Sequence, residues 1–371
     1  MKITGLSRLM LLCFLMGMVG TNGGLRAQQS RGERERIKIV IDTDIAEDID
    51  DLLIVAFALN SPEFEVLAIT TVDGDVEARS RVARRVAKTF GRPEVPVASG
   101  YVWNMPLADT PIPEGMYGVT QGELAPTEEG LPPASLLKAD ELVARLAEKH
   151  PGEIYLLALG SYANIGQLLV RYPESAAKLK AIVTSGVIMD PGPFTSGERI
   201  PDWNFRYDPL AGAVIMRSQI PWVITPSTAA RYVGGITKEE VDRLIRTDSN
   251  PHHVSGIPWE DVDRIRAAGL PTTELLTEAI DLWKKNKPDA ADHPHLADLS
   301  AFAYVLGGWM TTFRSNVYFT VPPAGVLPGI RLEVDPEGRA LIANEIPPEL
   351  GSKLYKLFLK RLLSPPLDQS D

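Results

Sequence analysis

The stretch Asp42-Thr43-Asp44-Ile45-Ala46-Glu47-Asp48-Ile49-Asp50-Asp51 decides the fold that this sequence predicts, and six of its ten residues carry a carboxylate. Residues 37–41 before it (Ile-Lys-Ile-Val-Ile) are rich in β-branched side chains, which is typical of a buried strand. Residues 52–59 after it are continuously apolar and predict a buried helix. The acids therefore lie between a strand and a helix, where ligands bind in open α/β sheets.

The crowding of these acids requires a compensating interaction. Two like charges about 4 Å apart repel each other by roughly 4 kcal/mol at an effective dielectric constant near 20. A helix that begins near Asp50 would offset only about 0.3–1 kcal/mol per charge. A bound divalent cation would be sufficient, and an all-oxygen ligand set favours Ca²⁺ or Mg²⁺ over zinc. The alternative is a solvated acidic turn in which Asp50 caps the following helix.

The composition is that of an ordinary globular protein. The chain has 371 residues, of which 44% are hydrophobic and 23% charged, and its formal net charge is -10. Residues 1–27 hold three basic residues and no acid, so the net charge without them is -13. Such a charge repels nucleic acid and anionic lipid. We therefore expect no nucleic-acid partner and no stable insertion into a membrane.

The N-terminus has the pattern of a secretory signal peptide. Lys2 and Arg8 precede an apolar run over residues 9–20, and small residues suit cleavage after Ala27. A run of about 12 residues is too short to span a bilayer, although an uncleaved signal anchor is the alternative. The sequence thus predicts a signal peptide over residues 1–27, a disordered lead-in over residues 28–36, and a secreted or periplasmic protein.

The rest of the chain alternates between strand and helix patterns. Further strands are predicted at residues 64–72, 95–98, 153–159, 181–186, 222–225 and within 317–346, and helices at 77–90, 135–149, 165–171, within 236–293 and at 348–363. The helix over 77–90 is amphipathic and is expected to turn its arginines, Arg79, Arg81, Arg84 and Arg85, towards solvent. This alternation predicts an α/β fold with a mostly parallel central sheet, covered by helices on both faces, in a single large Rossmann-like domain over residues 37–363.

Four motifs, found in order along the chain, carry a resemblance to a known family. The first is Asp42-Thr43-Asp44 followed by Asp50-Asp51, and the others are residues 160–164 (Gly-Ser-Tyr-Ala-Asn), 202–209 (Asp-Trp-Asn-Phe-Arg-Tyr-Asp-Pro) and 296–304. Together they resemble the nucleoside hydrolases of the inosine–uridine-preferring type. In that family the first motif is usually Asp-x-Asp-Pro-Gly-x-Asp-Asp, so the turn here is two residues longer and lacks Pro-Gly.

The resemblance implies an enzyme that uses Ca²⁺ to hydrolyse the N-glycosidic bond of a small-molecule ribonucleoside, through an oxocarbenium-like state. It implies that the metal is held by Asp44, Asp51, Asp298 and the backbone carbonyl of Leu159, and that Asp44 is the general base. It assigns the ribose hydroxyls to Asp50, Asp75, Asp202 and Asn204. Because the turn is longer, Asp48 is an alternative for the role given to Asp50 or Asp51.

One position departs from the family in a way that affects catalysis. The histidine that would protonate the leaving base is replaced by Ala297. His295 is the first candidate for this acid, His252 and His253 are further candidates, and the stacking of a purine between aromatic rings such as Trp259 and Trp283 is an alternative. Two other functions stay open: a nucleoside-binding protein without turnover, and a hydrolase of another ribosyl compound. The sequence also leaves a homo-oligomer open.

Overall fold

Strand β1 (Ile37–Thr43) leads directly into the acidic stretch, as predicted. The last five residues of β1 are buried, and the helix Ile49–Leu59 that follows is buried along its whole length. A helix that is apolar on all sides needs packing partners all around it. These two elements therefore place the acidic stretch inside the protein rather than on an exposed loop.

The ten strands of the described residues form one sheet. In addition to β1 they are β2 (Phe64–Thr71), β3 (Val97–Ser99), β4 (Tyr155–Ala158), β5 (Ala181–Ser185), β6 (Gly197–Arg199), β7 (Trp222–Thr225), β8 (Thr311–Thr320), β9 (Gly329–Val334) and β10 (Ala340–Glu345). Their order across the sheet is β3-β2-β1-β4-β5-β7-β10-β8-β9-β6. In this spatial order, every pair of neighbouring strands from β3 through β7 to β10 is parallel. The last three strands, β8, β9 and β6, extend the sheet with antiparallel pairs. The predicted mostly parallel sheet is confirmed.

Helices cover both faces of this sheet. Alternate residues of β1 enter different cores, since Ile39 and Ile41 belong to one hydrophobic cluster and Val40 belongs to the other. The α-helices that contribute buried residues to the first cluster include Ile49–Leu59, Val76–Thr89, Trp259–Ala267, Pro271–Asn286, Leu299–Val305 and Pro348–Leu362, and those in the second include Ala139–Lys149, Ala163–Arg171 and Pro209–Arg217. The helices Pro173–Ala176 and Lys238–Thr247 complete the described set. The predicted two-sided arrangement is thereby confirmed.

The computed structural model describes residues 35–102, 121–187, 197–199, 204–205, 208–234, 238–247, 256–287, 293–320 and 329–367. Residues 36–371 form a single unit. The predicted signal peptide, nearly all of the predicted lead-in, Asp202, His252 and His253 lie outside the described residues. Within the described ranges, no helix combines the length and the apolar composition that a bilayer span requires.

The prediction for the arginines of helix Val76–Thr89 was wrong in two positions. Arg79 and Arg84 are 0% and 2% exposed, and only Arg81 and Arg85 reach towards solvent. The amphipathic pattern misassigned the two buried side chains because a guanidinium can be buried when oxygen acceptors surround it. Arg84 donates to the carboxylate of Glu128 at 2.7 and 2.8 Å, and the partners of Arg79 belong to the acidic stretch.

Candidate active site

Three carboxylates from two distant parts of the chain meet near the carboxyl end of β1. Asp50 and Asp51 lie in the first turn of helix Ile49–Leu59, and Asp298 immediately precedes helix Leu299–Val305. One oxygen atom of each lies within 4.8 Å of the others, and all three side chains are buried. The backbone N–H of Asp298 donates to Asp50 Oδ2 at 3.4 Å, which joins the two helix starts. These three residues form the acidic cluster.

The acidic cluster is electrostatically unfavourable when it is fully ionised. Burial, together with the charges of Asp44 and Asp298, raises the pKa of Asp51 well above its ordinary value. Burial and the charge of Asp50 do the same to the pKa of Asp298. A divalent cation would counteract both shifts because it favours the charged form of each carboxylate.

The spacing and chemistry of the acidic cluster fit a hard cation. Oxygen ligands bind Ca²⁺ at about 2.3–2.6 Å, so ligands on opposite sides of the ion lie about 5 Å apart. The carboxylate oxygens of the cluster lie within this distance of one another. Because carboxylates are the donors that Ca²⁺ and Mg²⁺ prefer, the cluster has the composition of a site for either ion.

Asp44 adjoins the acidic cluster and is only half-buried. Burial raises the pKa of its carboxyl group, whereas the guanidinium of Arg79 and a hydrogen bond with Asp51 oppose this shift. Asp51 is held from its other side by Thr43, whose hydroxyl donates to Asp51 Oδ1 and accepts the backbone N–H of Ile45 at 3.1 Å. Asp44 is therefore the carboxylate next to the cluster that retains a more open face.

The loop after β4 (Tyr155–Ala158) passes unusually close to Asp44. A Cβ atom at Gly160 would lie 2.9 Å from the backbone nitrogen of Asp44 and 2.6 Å from Val72 Cγ1, so this approach requires glycine. The preceding residue, Leu159, is buried, and its carbonyl accepts a hydrogen bond from Asn204 Nδ2. A carbonyl oxygen has two lone pairs, so this bond leaves the Leu159 carbonyl one further acceptor position.

Asp48 joins four neighbouring groups on the other side of the acidic cluster. Its Oδ1 accepts the backbone N–H of Ile49 at 2.7 Å and the indole N–H of Trp283 at 2.8 Å, and its Oδ2 lies 3.3 Å from Lys287 Nζ. Burial alone would raise the pKa of Asp48, but His295 and Lys287 hold it well below its ordinary value. Asp48 is thus the helix cap, and the alternative of a solvated turn capped by Asp50 is wrong because Asp50 is buried in the cluster.

His295 lies between Asp48 and Asp50. Its Nε2 is 3.1 Å from Asp48 Oδ1, and its Nδ1 is 3.4 Å from Asp50 Oδ2. Burial would lower the pKa of His295, yet the two carboxylates raise it well above its ordinary value. The ring therefore faces the acids, and its proton compensates part of their charge.

A family model described as inosine-uridine preferring nucleoside hydrolase matches residues 39–334, which includes β1, the acidic stretch and Asp298. The chain belongs to this family. Over 213 residues it is 32% identical to uridine nucleosidase 1 of Arabidopsis thaliana, a match that covers 54% of this chain and 59% of that protein. Over 226 residues it is 29% identical to the pyrimidine-specific ribonucleoside hydrolase RihA of Klebsiella pneumoniae, covering 58% of this chain and 67% of the relative.

Solved structures of nucleoside hydrolases share the fold. One is the purine-preferring ribonucleoside hydrolase from Gardnerella vaginalis, with a TM-score of 0.66 at 20% identity over 88% of this chain and 98% of that one. This likeness confirms the predicted fold, and the family model confirms the predicted family. At this identity the likeness concerns the fold alone, and the chain spans about three fifths of uridine nucleosidase 1.

The family resemblance assigned metal ligands and ribose contacts, and the structure brings many of them together. Asp50, Asp51 and Asp298 form the acidic cluster, Asp44 adjoins it, and the Leu159 carbonyl is bound by Asn204. Asp75 is exposed, and its Oδ1 accepts the Ala78 N–H at 2.9 Å as the cap of helix Val76–Thr89. The assigned roles of these residues remain predictions.

The proposed stacking role of Trp283 does not agree with its surroundings. Trp283 is 0% exposed, belongs to a hydrophobic core cluster and donates its indole N–H to Asp48. Trp259 is half-buried against the same core cluster, with the guanidinium of Arg266 5.9 Å from its ring centroid. Trp283 is therefore a structural residue of the Asp48 network and not a platform for a nucleobase.

Polar side chains that have no predicted role hold the strand ends together. Asn164 donates to Asp42 Oδ1 at 2.6 Å and to the Thr71 carbonyl at 3.1 Å, and its Oδ1 accepts the backbone N–H of Tyr101 at 2.8 Å. One side chain thus joins the ends of β1, β2 (Phe64–Thr71) and β3 (Val97–Ser99). The motif at residues 160–164 contained Asn164, but no pattern in the sequence names partners this far away.

Burial changes the acid strength of two further carboxyl groups near these strand ends. Asp42 is 1% exposed, and burial raises its pKa to about 7 against the hydrogen bonds from Thr70 and Asn164. Burial also raises the pKa of Asp73 to about 7, although a hydrogen bond from Ser161 opposes the shift. Two carboxyl groups beside the site therefore titrate near neutral pH.

Proposed function

We propose that this protein hydrolyses the N-glycosidic bond of ribonucleosides in a Ca²⁺-dependent reaction that yields ribose and the free base. The observation that carries the proposal is the buried acidic cluster with Asp44 at its more open side. Membership of the inosine-uridine preferring nucleoside hydrolase family supports the reaction class. The all-oxygen donor set supports Ca²⁺, with Mg²⁺ as the competing ion.

In this proposal the ion is held by Asp51, Asp298, Asp44 and the Leu159 carbonyl. The bound cation would supply positive charge that orients the attacking water and lowers its pKa. Asp44 would accept the proton of that water, because it is half-buried beside the cluster and, unlike Asp48, does not cap helix Ile49–Leu59.

The protein must also stabilise positive charge on the sugar as the bond to the base breaks. Asp50 and Asn204, with Asp202 and Asp75, are proposed to bind ribose hydroxyls. A carboxylate near the developing oxocarbenium ion lowers its energy most when the site excludes water. Asp50 is 3% exposed and so meets this condition.

The residue that would protonate the leaving base is less evident than the residues proposed for the cation and the ribose. Ala297 is half-buried beside Asp298, where its methyl group can donate no proton. His295 is 6% exposed and both of its ring nitrogens face Asp48 and Asp50. We therefore propose that this protein favours substrates whose base departs without full protonation, and we keep His295 as the first candidate acid.

The test is a substrate panel measured with and without Ca²⁺. Chelated protein is assayed for reducing-sugar release on inosine, uridine, cytidine, adenosine, nicotinamide riboside and ADP-ribose, and again after addition of Ca²⁺ or Mg²⁺. The proposal expects ribose release from at least one nucleoside, restored preferentially by Ca²⁺. In Asp44→Asn this release should fall by about 10²-fold or more. Full activity in chelator would refute the cation's role.

The panel also separates the competing functions. Nucleoside binding in calorimetry without ribose release would indicate a binding protein, a reading that Ala297 favours and the retained Asp44 opposes. Release from ADP-ribose or nicotinamide riboside alone would indicate a hydrolase of another ribosyl compound. Either result would replace ribonucleoside hydrolysis as the function.

We also propose that the protein is secreted or periplasmic, cleaved after Ala27. The basic residues Lys2 and Arg8 and the apolar run over residues 9–20 support this. N-terminal sequencing of the protein from fractionated cells tests it, and an intact Met1 in the cytoplasmic fraction would contradict it. Light scattering on the same material determines whether a homo-oligomer forms.

A further inference from the structure

The guanidinium of Arg79 lies directly behind Asp44. Arg79 is on helix Val76–Thr89 and is 0% exposed, which is unusual for a side chain that stays charged at every physiological pH. A buried charge of this kind is tolerated only when oxygen acceptors surround it. Its acceptors therefore identify what the side chain holds in place.

Every hydrogen bond described for Arg79 ends on the turn after β1 or on the loop after β2 (Phe64–Thr71). Its Nη1 donates to the backbone carbonyl of Asp44 and, at 2.9 Å, to that of Ile45. Its Nε donates to the carbonyl of Asp73 at 2.8 Å, and its Nη2 lies 3.4 Å from Glu47 Oε2. One rigid fork thus fixes two consecutive peptide groups of the turn and a third from the neighbouring loop.

The turn needs such support because its own conformation is strained. Ala46 has a φ of 74°, in the left-handed region that costs a residue with a Cβ roughly 1–2 kcal/mol. The turn also contains no proline that would restrict its backbone. Without Arg79, the buried carbonyl of Ile45 would lose its donor, the carbonyl of Asp44 would keep the N–H of Glu47 at 3.2 Å, and the turn would relax.

We infer that Arg79 is a positioning residue that holds the main chain of Asp44, so that this carboxylate points at the cation and the sugar. Arg79 contacts backbone carbonyls, so it acts through Asp44 and not on the substrate. The inference rests on the proposed function for its kinetic consequences. Its consequence for cation affinity does not depend on turnover.

The experiment compares Arg79→Lys with Arg84→Lys. Arg84 lies on the same helix, is 2% exposed, and donates to Glu128 and to the Pro132 carbonyl at 3.0 Å instead of to the turn. Each variant keeps the charge and removes the planar fork. Arg84→Lys therefore measures the general cost of replacing a buried arginine on this helix.

For Arg79→Lys we expect kcat at saturating Ca²⁺ and substrate to fall by about 10²-fold, since a displacement of about 1 Å at a reacting group has that effect. KM should change less than kcat, because the remaining sugar contacts persist. In calorimetry on chelated, substrate-free protein, Arg79→Lys should bind Ca²⁺ more weakly. Arg84→Lys should match the wild type in kcat and in Ca²⁺ affinity, even when its unfolding midpoint drops as much as that of Arg79→Lys.

Two results would overturn the inference. One is an Arg79→Lys protein that folds and keeps both wild-type kcat and wild-type Ca²⁺ affinity. The other, which needs no variant and so applies even when Arg79→Lys does not fold, is a crystal structure of the Ca²⁺-loaded protein in which Arg79 does not contact the carbonyls of Asp44 and Ile45. A wild-type protein that is inactive on every substrate would refute the proposed function alone, since the comparison of Ca²⁺ affinities still tests Arg79.

Discussion

Replacing Gly160 with alanine should disable the site without touching any charged group. The added Cβ would lie 2.6 Å from Val72 Cγ1 and 2.9 Å from the backbone nitrogen of Asp44. These separations are about 0.9 and 0.6 Å shorter than ordinary van der Waals contact near 3.5 Å. Because one neighbour is main chain, the clash cannot be relieved by a side-chain rotation alone, and the Asp44 backbone must move.

The expected magnitudes follow from that displacement. Overpacking a buried site typically costs about 1–3 kcal/mol of the free energy of unfolding. A shift approaching 1 Å at the reacting carboxylate costs about 10²-fold in rate, so we expect kcat of Gly160→Ala to fall by about 10- to 100-fold. KM should change less, because Asp50 lies on helix Ile49–Leu59 and not on the displaced loop.

The assay is steady-state ribose release at saturating Ca²⁺, with urea unfolding measured in parallel. Gly166→Ala, within helix Ala163–Arg171, is the matched control, because its Cβ would meet Ala211 Cβ at 3.0 Å and not the backbone of Asp44. The control should keep kcat within about twofold, because it adds the same methyl group in a milder contact with one side chain. A Gly160→Ala protein with wild-type kcat would show that the loop carrying Leu159 does not determine the position of Asp44.

Four further outcomes are expected. Chelation should lower the unfolding midpoint, and Ca²⁺ at about 100 times its Kd should restore about 2.7 kcal/mol of stability; a midpoint unaffected by chelator would argue against a resident cation. Asp44→Asn should lower kcat by about 10²-fold or more while the protein still folds, as for the loss of a general base, and an unchanged kcat would point to Asp48 instead. Burial raises the pKa of Asp208 from 3.8 to about 6, because the folded state disfavours the charged carboxylate. The protonated Asp208 therefore contributes to the free energy of unfolding at low pH, and this contribution is lost as pH rises from about 4 to 6. Asp208→Asn can still accept the Ala211 N–H. In urea titrations, the free energy of unfolding of this variant relative to the wild type should therefore be higher at pH 7 than at pH 4. An identical pH dependence of both proteins would contradict this. Para-nitrophenyl riboside should be hydrolysed much faster than inosine, and Ala297→His should narrow the gap by up to about 10²-fold; equal native rates on both would mean that another acid, with His295 first in line, is present.

Local patterns determined most of the architecture. The β-branched run at residues 37–41 and the apolar run at 52–59 are visible in sequence because a buried strand and a buried helix each need uninterrupted apolar residues. Strand β7 (Trp222–Thr225) coincides with its prediction, and the closing helix Pro348–Leu362 differs by one residue. The order of strands and helices follows from the same local signals, and with it the two-sided parallel sheet.

The candidate site was predicted only in part. The acidic stretch and Asp298 were recognised because their motifs are short and contiguous, so residue identity alone marks them. The network around Asp48 was missed because Trp283 and Lys287, which bind it, lie more than 200 positions away along the chain. The convergence of Asp51 and Asp298 depends likewise on how the two helix starts pack.

The arginines show most clearly what tertiary structure decided. In sequence, Arg79 and Arg84 have the periodicity of a solvent-facing helix side, and hydrophobicity alone assigns them to water. In the fold, the carbonyls of Asp44, Ile45 and Asp73 converge on Arg79, and the carboxylate of Glu128 meets Arg84. Whether a charged side chain is buried depends on whether acceptors from distant segments arrive at its position, and this is a property of the packed chain that no local pattern contains.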